Sequence, residues 1–279
     1  MTRFWRVFWA LLIGGPLLAF TAWGLQDNPR LFVITFLNSL TLASLYFIVA
    51  SGFTLVFGLM RNVNLAHGSL YLLGGYLGFF TAQFTGSWLL ALAAGFAAAA
   101  VVGLVMQVSI FRFMPGQDLR QTMVTIGLSI VIADLLMWAI GAQVHQMSPP
   151  AVLDGPLRGL PVIRAYSTYR LSLLPIGIAI GVALWLFLNR TRVGMMIRAG
   201  VDDRAMLAAS GVNVNLVFAT TFAIGAGLAG LGGVIGAAIF GLAETYGLAY
   251  APTYSVVFTF VILVLVLAFR PRGILGRPA

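Results

Sequence analysis

Long apolar runs alternate along the chain with short polar breaks, spaced as a membrane would require. A helix needs about 20 apolar residues to cross the hydrocarbon layer. Runs of this kind predict spans at 5–25, 32–59, 68–85, 88–111, 121–142, 171–189, 216–243 and 252–269. The first follows Arg3 and Arg6 as a signal peptide would, but it is aromatic, broken by Pro16 and followed by "LQDNPR". That is a poor cleavage site, and a retained helix is expected. The pattern therefore predicts an all-α polytopic membrane protein of about eight transmembrane helices, a single transmembrane domain over 1–279.

Composition agrees. Hydrophobic residues make up 61% of the 279 and charged residues 8%, with a mean hydropathy of +1.01. A soluble domain carries about a quarter charged residues, so this chain cannot cover a water-facing surface. All sixteen basic residues are arginine. The lack of lysine excludes a Schiff-base lysine and a Walker A loop, so any ATP hydrolysis belongs to another chain. The lack of cysteine excludes disulfides, thiolate metal sites and cysteine nucleophiles.

Eight crossings place both termini on one side. The loops of that side carry Arg3, Arg6, Arg61, Arg112, Arg120, Arg190, Arg192, Arg198, Arg204, Arg270, Arg272 and Arg277. The other side carries Arg30, Arg158, Arg164 and Arg170. Arginine excess marks the cytoplasmic side, so both termini are expected there, with 143–170 outside and 190–215 inside. The net charge of +9 is thereby explained without nucleic acid as a partner.

Within 190–215, Val201 to Ser210 favours a short helix. Asp202 and Asp203 suit the positive end of its dipole, alanines follow, and Gly211 is placed to stop it. An alanine-faced surface helix lets another protein approach its backbone closely; a plain solvated loop is the alternative.

Several polar groups fall at or inside the spans. "NVNLAHG" (62–68) brings Asn62, Asn64, His67 and Gly68 to a turn between two spans. Asn and Gly suit a tight turn, with Gly68 relaxing the chain into the next helix. Thr41, Ser44, Ser51 and Thr54 fall within an arc of roughly 140° on one helix, which fits either helix packing or the lining of a pathway. Thr125, with Gly127 and Ser129, allows close approach of another helix at the start of a span. Asp134 lies near the middle of span 121–142, where an acid is costly and a functional candidate. It could serve structure, translocation or proton coupling. His67 and His145, the only two histidines, are predicted on opposite faces, so no metal site is expected.

"TRVGMMIRAGVDDRAMLAASGVNVNLVFATTFAIGAGLAGLGG" resembles the cytoplasmic loop and following helix of ABC-importer permeases for branched-chain amino acids. The resemblance extends to "LTLASLYFIVASGFTLVFGLMRNVNLAHGSLYLLGGYLGFF" (40–80), "TMVTIGLSIVIADLL" (122–136) and "FRPRGILGRP" near the end. The Asn-x-Ala-His-Gly form of 64–68 is similar to the H-type subunit. The resemblance implies a permease domain, with a coupling helix at about 201–210 that docks on an ATPase subunit. Arg198, Asp202, Asp203, Arg204, Ala205, Ala208, Ala209 and Gly211 would carry that docking. The turn at 62–68 would dip toward a central interface, making His67 a hydrogen-bonding member of an inner gate or helix junction.

The resemblance further implies ABC ATPase subunits that hold ATP and Mg, with no cofactor in this chain. A second, M-type permease and a periplasmic or lipid-anchored solute-binding protein complete the assembly, in the lipid of a bacterial or archaeal cytoplasmic membrane. Branched-chain amino acids are the default substrate, and urea, short amides or other amino acids are alternatives. A segment of about forty residues, enough for one out-and-back pair of spans, is missing by comparison near Gly232–Val234, where "GAGLAGLGGVIGAAIFGLAETYG" runs straight through. Two rival functions stay open from the residues: a proton-coupled carrier using Asp134, and a non-transporting membrane scaffold.

Overall fold

The computed structural model describes residues 21–22, 24–60, 64–141, 145, 147–150, 152–159 and 165–247. Within them lie α1 (Pro29–Met60), α2 (His67–Thr85), α3 (Trp88–Ser109), α4 (Asp118–Ile140), α5 (Thr168–Arg190), α6 (Arg192–Asp202), α7 (Arg204–Ala209) and α8 (Val214–Gly247). Six of these helices coincide with six predicted spans to within a few residues. Predicted span 252–269 and nearly all of 5–25 lie outside the described residues.

Five helices, α1, α3, α4, α5 and α8, are long and apolar enough to cross a membrane. The helix predicted at 68–85 is present as α2, but it falls outside that set. At 19 residues it is the shortest of the six, and it carries Ser69, four glycines and Gln83. Ser69 and three of the glycines, Gly74, Gly75 and Gly78, are buried against other helices, while Gly68 and Gln83 are exposed.

The outward faces are dominated by large apolar side chains. Val101, Leu104 and Val105 on α3, Ile130, Val131, Leu135 and Trp138 on α4, and Ile178, Val182 and Trp185 on α5 are all exposed. Soluble monomers rarely expose contiguous apolar patches beyond a few hundred Å². Hydrocarbon or another apolar protein surface must cover these faces, which makes the chain a multi-pass membrane protein.

The chain divides into two compact units, Met1–Ala238 and Ile239–Ala279, and the helical bundle is the first. In the second, the described residues are the last turns of α8. At the bundle's centre, α8 buries Phe222, Ala226, Ala229, Val234 and Ile235. Glycines set how closely its neighbours approach. Gly225 lies against Gly52 of α1, Gly230 lies between Gly74 of α2 and Gly95 of α3, and Gly233 meets the Tyr71 carbonyl. A methyl group on Gly74 would fall inside the backbone of Gly230. Small residues are how helices gain close packing where lipid is as apolar as leucine.

The same pairs fix direction. Going from Gly225 to Gly236, α8 meets falling residues on α1 and α3, while on α2 Gly230 packs against Gly74 and Val234 against Gly78. It therefore runs parallel to α2 and antiparallel to α1 and α3. Helix α5 runs parallel to α1, with Gly177 against Ser44 and Gly181 against Phe47. The segments 64–66, 110–117 and 191–213 thus gather at one end of the bundle, and 86–87 and 165–167 at the other. Among the described residues, Arg112, Arg120, Arg190, Arg192, Arg198 and Arg204 lie at the first end. Arg30, Arg158 and Arg170 lie at the second.

Two local features depart from the expectations. The loop 143–170 contains a short antiparallel hairpin, β1 (Pro156–Arg158) with β2 (Ala165–Ser167), in which Leu157 pairs with Tyr166. It seats Tyr166, 6% exposed, where its hydroxyl donates to Asn38 Oδ1 at 2.9 Å. The second is a correction. The helix expected over 201–210 is broken at Asp203, which is extended (φ −151°, ψ 109°). Its carboxylate accepts from the N–H groups of Ala205 and Met206 at 2.8 and 3.0 Å. That N-cap starts α7 at Arg204 and leaves Asp202 as the last residue of α6. Gly211 ends the segment at φ +79°, a left-handed conformation that favours glycine.

Candidate functional site

At the arginine-rich end, α2 begins in a knot of polar groups held between α1 and α4. Asn64 is buried, its Oδ1 accepting from the Ala66 N–H at 3.1 Å and its carbonyl from the His67 N–H at 3.3 Å. The next donor, Leu65 N–H, is met by Thr125 Oγ1 of α4 at 3.2 Å. Thr125 is itself buried, and its hydroxyl donates to the Thr122 carbonyl at 2.8 Å. One turn further on, Ser69 Oγ lies 2.9 Å from both the carbonyl and the hydroxyl of Ser129. Positions 65 and 69 thereby meet 125 and 129, an i, i+4 ladder that ties α2 to α4.

His67, the first residue of α2, faces α1. Its Nε2 lies 3.1 Å from the Val49 carbonyl, and its ring stands edge-on to Phe53 at 5.6 Å. The imidazole bridges two helices, and among the described residues no carboxylate or second histidine orients it. His145 is remote, packed against Tyr76, Phe79 and Phe80 toward the far end of α2. Among the described residues, Asn64 Nδ2 and His67 Nδ1 are buried without a hydrogen-bond partner, and such orphaned groups are uncommon in folded proteins.

The other sequence candidates scatter around this knot. Asn62 lies outside the described residues. Gly68 is exposed and has open space where a Cβ would stand. Its φ is not positive, so the turn itself makes no demand for glycine there. Thr41 and Ser44 sit toward the opposite end of α1. Thr41 Oγ1 lies 2.9 Å from Leu37 O and 3.1 Å from Arg170 O, either of which its one proton can meet, and Ser44 donates to Leu40 O at 3.0 Å. Ser51 bonds back to Ile48 O at 2.7 Å, and Thr54 is exposed. Back-bonding with α1–α5 packing accounts for Thr41 and Ser44. Asp134, expected to be buried, is on the exposed face of α4. That face is apolar, so its carboxyl points away from any pathway inside this bundle.

Ser69 and Asn38 escaped the sequence reading. The signal for Ser69 was its spacing of four from Leu65, matched by Thr125 and Ser129. Asn38 accepts from both Tyr166 and Arg170 Nη1, the latter at 3.0 Å, and gave no such signal.

Helices α6 and α7 form a second candidate surface at the same end. Helix α6 is amphipathic, burying Gly194, Ile197 and Gly200 while Arg192 and Arg198 stay exposed. Ile197 joins Leu55, Val217 and Phe218 in an apolar cluster. Helix α7 is held by buried Leu207 and by the Arg204 guanidinium, 4.3 Å from the Phe218 ring centroid. Ala205, Met206, Ala208 and Ala209 are all exposed. A short, firmly anchored helix therefore presents three small alanine side chains and Met206 beside arginines.

The described residues form an apolar membrane bundle with a polar knot inside and an exposed alanine-bearing helix at its arginine-rich end. The chain belongs to the family described as "Branched-chain amino acid transport system / permease component", whose model matches residues 35–275.

Curated relatives agree. The chain is 29% identical to the high-affinity branched-chain amino acid transport system permease protein BraD of Pseudomonas aeruginosa, covering 86% of this chain and 94% of that protein. It is 29% identical to LivH of Escherichia coli K12 and 28% to LivH of Salmonella typhimurium, at the same coverage. No solved structure matches it. The BraD match spans 296 aligned positions, while 86% of the chain's 279 residues is about 240, so about 56 positions have no counterpart here. The chain is shorter than its relatives inside the matched region.

Proposed function

We propose that the chain is a permease subunit of an ATP-driven importer for branched-chain or related amino acids. The observation that carries this reading, within a family named for such transport, is α7. It is anchored by Leu207 and capped by Asp203, and it holds out Ala205, Ala208 and Ala209. As a coupling helix it would dock in a partner ATPase, which binds ATP and Mg. Closure of two ATPases would move α7 as a rigid lever and tilt α6 and the attached helices. The arginine-rich end is then cytoplasmic, and eight spans in all would place both termini on that side.

A second permease, of the M type, covers the exposed face of α4, where an acid in an apolar stripe is costly against lipid alone. The knot at Asn64, His67 and Thr125 serves as the inner gate or helix junction, completed by that partner or by the passing solute. A periplasmic or lipid-anchored binding protein delivers the solute to the far end. The shortening falls near Gly232–Val234, where α8 continues unbroken. Its 34 residues reach about 50 Å against the ~30 Å that one crossing needs, as expected if the ends of a removed pair of spans were joined.

Affinity purification of the chain, expressed with its neighbouring genes, tests the reading. A Walker A ATPase is expected to co-purify and to hydrolyse ATP faster when the loaded binding protein is added. A chain that purifies alone, or an ATPase indifferent to the binding protein, would contradict it.

A further inference from the structure

At the α6–α7 end, two adjoining cavities open where α3, the turn after it and the start of α8 converge. One, of about 150 Å³, is lined by Gln107, Arg112, Gln121, Arg204, Asn215 and Phe218, among others. The second, of about 180 Å³, shares Gln107, Arg112 and Asn215. Among the described residues, no acidic side chain lines either cavity. A cavity of ~150 Å³ admits a molecule as small as benzene, so the space suits a compact ligand.

Three features define what would fill it. Gln107 is 4% exposed, and its Oε1 is buried with no hydrogen-bond partner among the described residues. An orphaned buried amide oxygen calls for a donor. An amide turned end for end would instead offer N–H groups, which a carboxylate meets. Arg112 is exposed, with its guanidinium 4.4 Å from the Phe113 ring centroid. Stacking of this kind fixes the plane of the fork and leaves its edge free for a carboxylate. Arg204 adds a second positive charge, and Phe111 and Phe218 give an apolar wall.

We propose that this cleft binds the ammonium–carboxylate head of an α-amino acid, the carboxylate on Arg112 and the ammonium on Gln107 Oε1. The site is separate from the Asn64–His67 knot. If the chain is an amino-acid permease with this end in the cytoplasm, as argued above, the cleft meets solute on the product side. A phosphatidylserine headgroup carries the same pair of charges and is the other source of this chemistry.

The permease complex in nanodiscs of phosphatidylcholine and phosphatidylglycerol, without binding protein or ATP, provides the test. Radiolabelled glycine and leucine are expected to bind saturably, and Gln107→Leu and Arg112→Gln each to weaken both by about tenfold, the loss of one hydrogen bond to a charged group. Arg112 is exposed, so its variant remains informative if Gln107→Leu fails to fold. In a second arm with phosphatidylserine, native mass spectrometry reads retained lipid. One retained lipid lost in both variants, with no amino-acid binding, would support the headgroup as the source. Binding of neither ligand, or binding indifferent to both substitutions, overturns the proposal. Leucine import by the same complex is scored separately: binding without import counts against the importer reading, and import without binding counts against this site.

Discussion

Replacing Gly230 by leucine is expected to leave no folded protein to extract from the membrane. The residue lies where α8 passes between α2 and α3. A Cβ there would collide with the Gly95 carbonyl and stand 2.6 Å from the Ala99 methyl, and Gly74 presses from the other side. Overpacking a core costs about 1–3 kcal/mol when side chains can give way. Here one obstacle is backbone, so a whole helix must move, and the cost should exceed that range. The same change at Gly68, where a Cβ meets open space, is expected to shift stability by no more than about 0.5 kcal/mol. Size-exclusion profiles and thermal midpoints of the two variants in detergent check the contrast. A folded Gly230→Leu protein would show that the glycine contacts do not hold the bundle together.

Arg204→Glu is expected to reduce amino-acid uptake to background while the chain still inserts and reaches normal levels in the membrane. Arg204 opens α7 beside its exposed alanines and stacks on Phe218. Losing the stacking costs about 0.5–1 kcal/mol at an exposed site, too little to unfold the protein. Reversing the charge sets it against whatever acidic surface the ATPase offers. Arg204→Gln separates the two effects, because it loses the stacking without adding repulsion, and it should retain part of the uptake. Measured with ATP hydrolysis in the same vesicles, Arg204→Glu should show ATPase activity that no longer responds to the loaded binding protein. Unchanged uptake and stimulation would remove α7 from the coupling path.

Both expectations rest on features of different legibility. The six described long helices could be read from apolar runs, because lipid demands continuous apolar segments of set length. Their contacts were less visible. In membranes, the residues that meet across helices are small ones, which barely alter hydropathy. The glycines of "GAGLAGLGG" therefore gave no sign that α8 would be the central helix. The break at Asp203 was hidden because the same aspartate suits either a first turn or an N-cap, and only its extended backbone decides. Gly211 was legible, since little else ends a helix in a left-handed turn so readily.

At the knot, sequence brought out Asn64, His67 and Thr125, three of the residues the fold brings together. It could not show that Thr41 belongs with Tyr166 and Arg170 at the other end of the bundle. That contact spans some 125 residues, and the arc of hydroxyls on α1 mixed both ends of one helix. Asp134 shows the converse. Its position along α4 was plain, but the face it occupies depends on which sides of α4 the rest of the chain covers.

The central claim is that this chain forms part of a pathway driven by ATP hydrolysed in another chain. Uptake of radiolabelled leucine tests it in proteoliposomes that hold the chain, its partner permease and ATPases, with ATP inside and loaded binding protein outside. Uptake is expected to require ATP, to survive collapse of the proton gradient and to vanish when the partner's Walker A lysine is replaced. Uptake that follows the proton gradient without ATP, or an assembled complex that imports nothing, would contradict it.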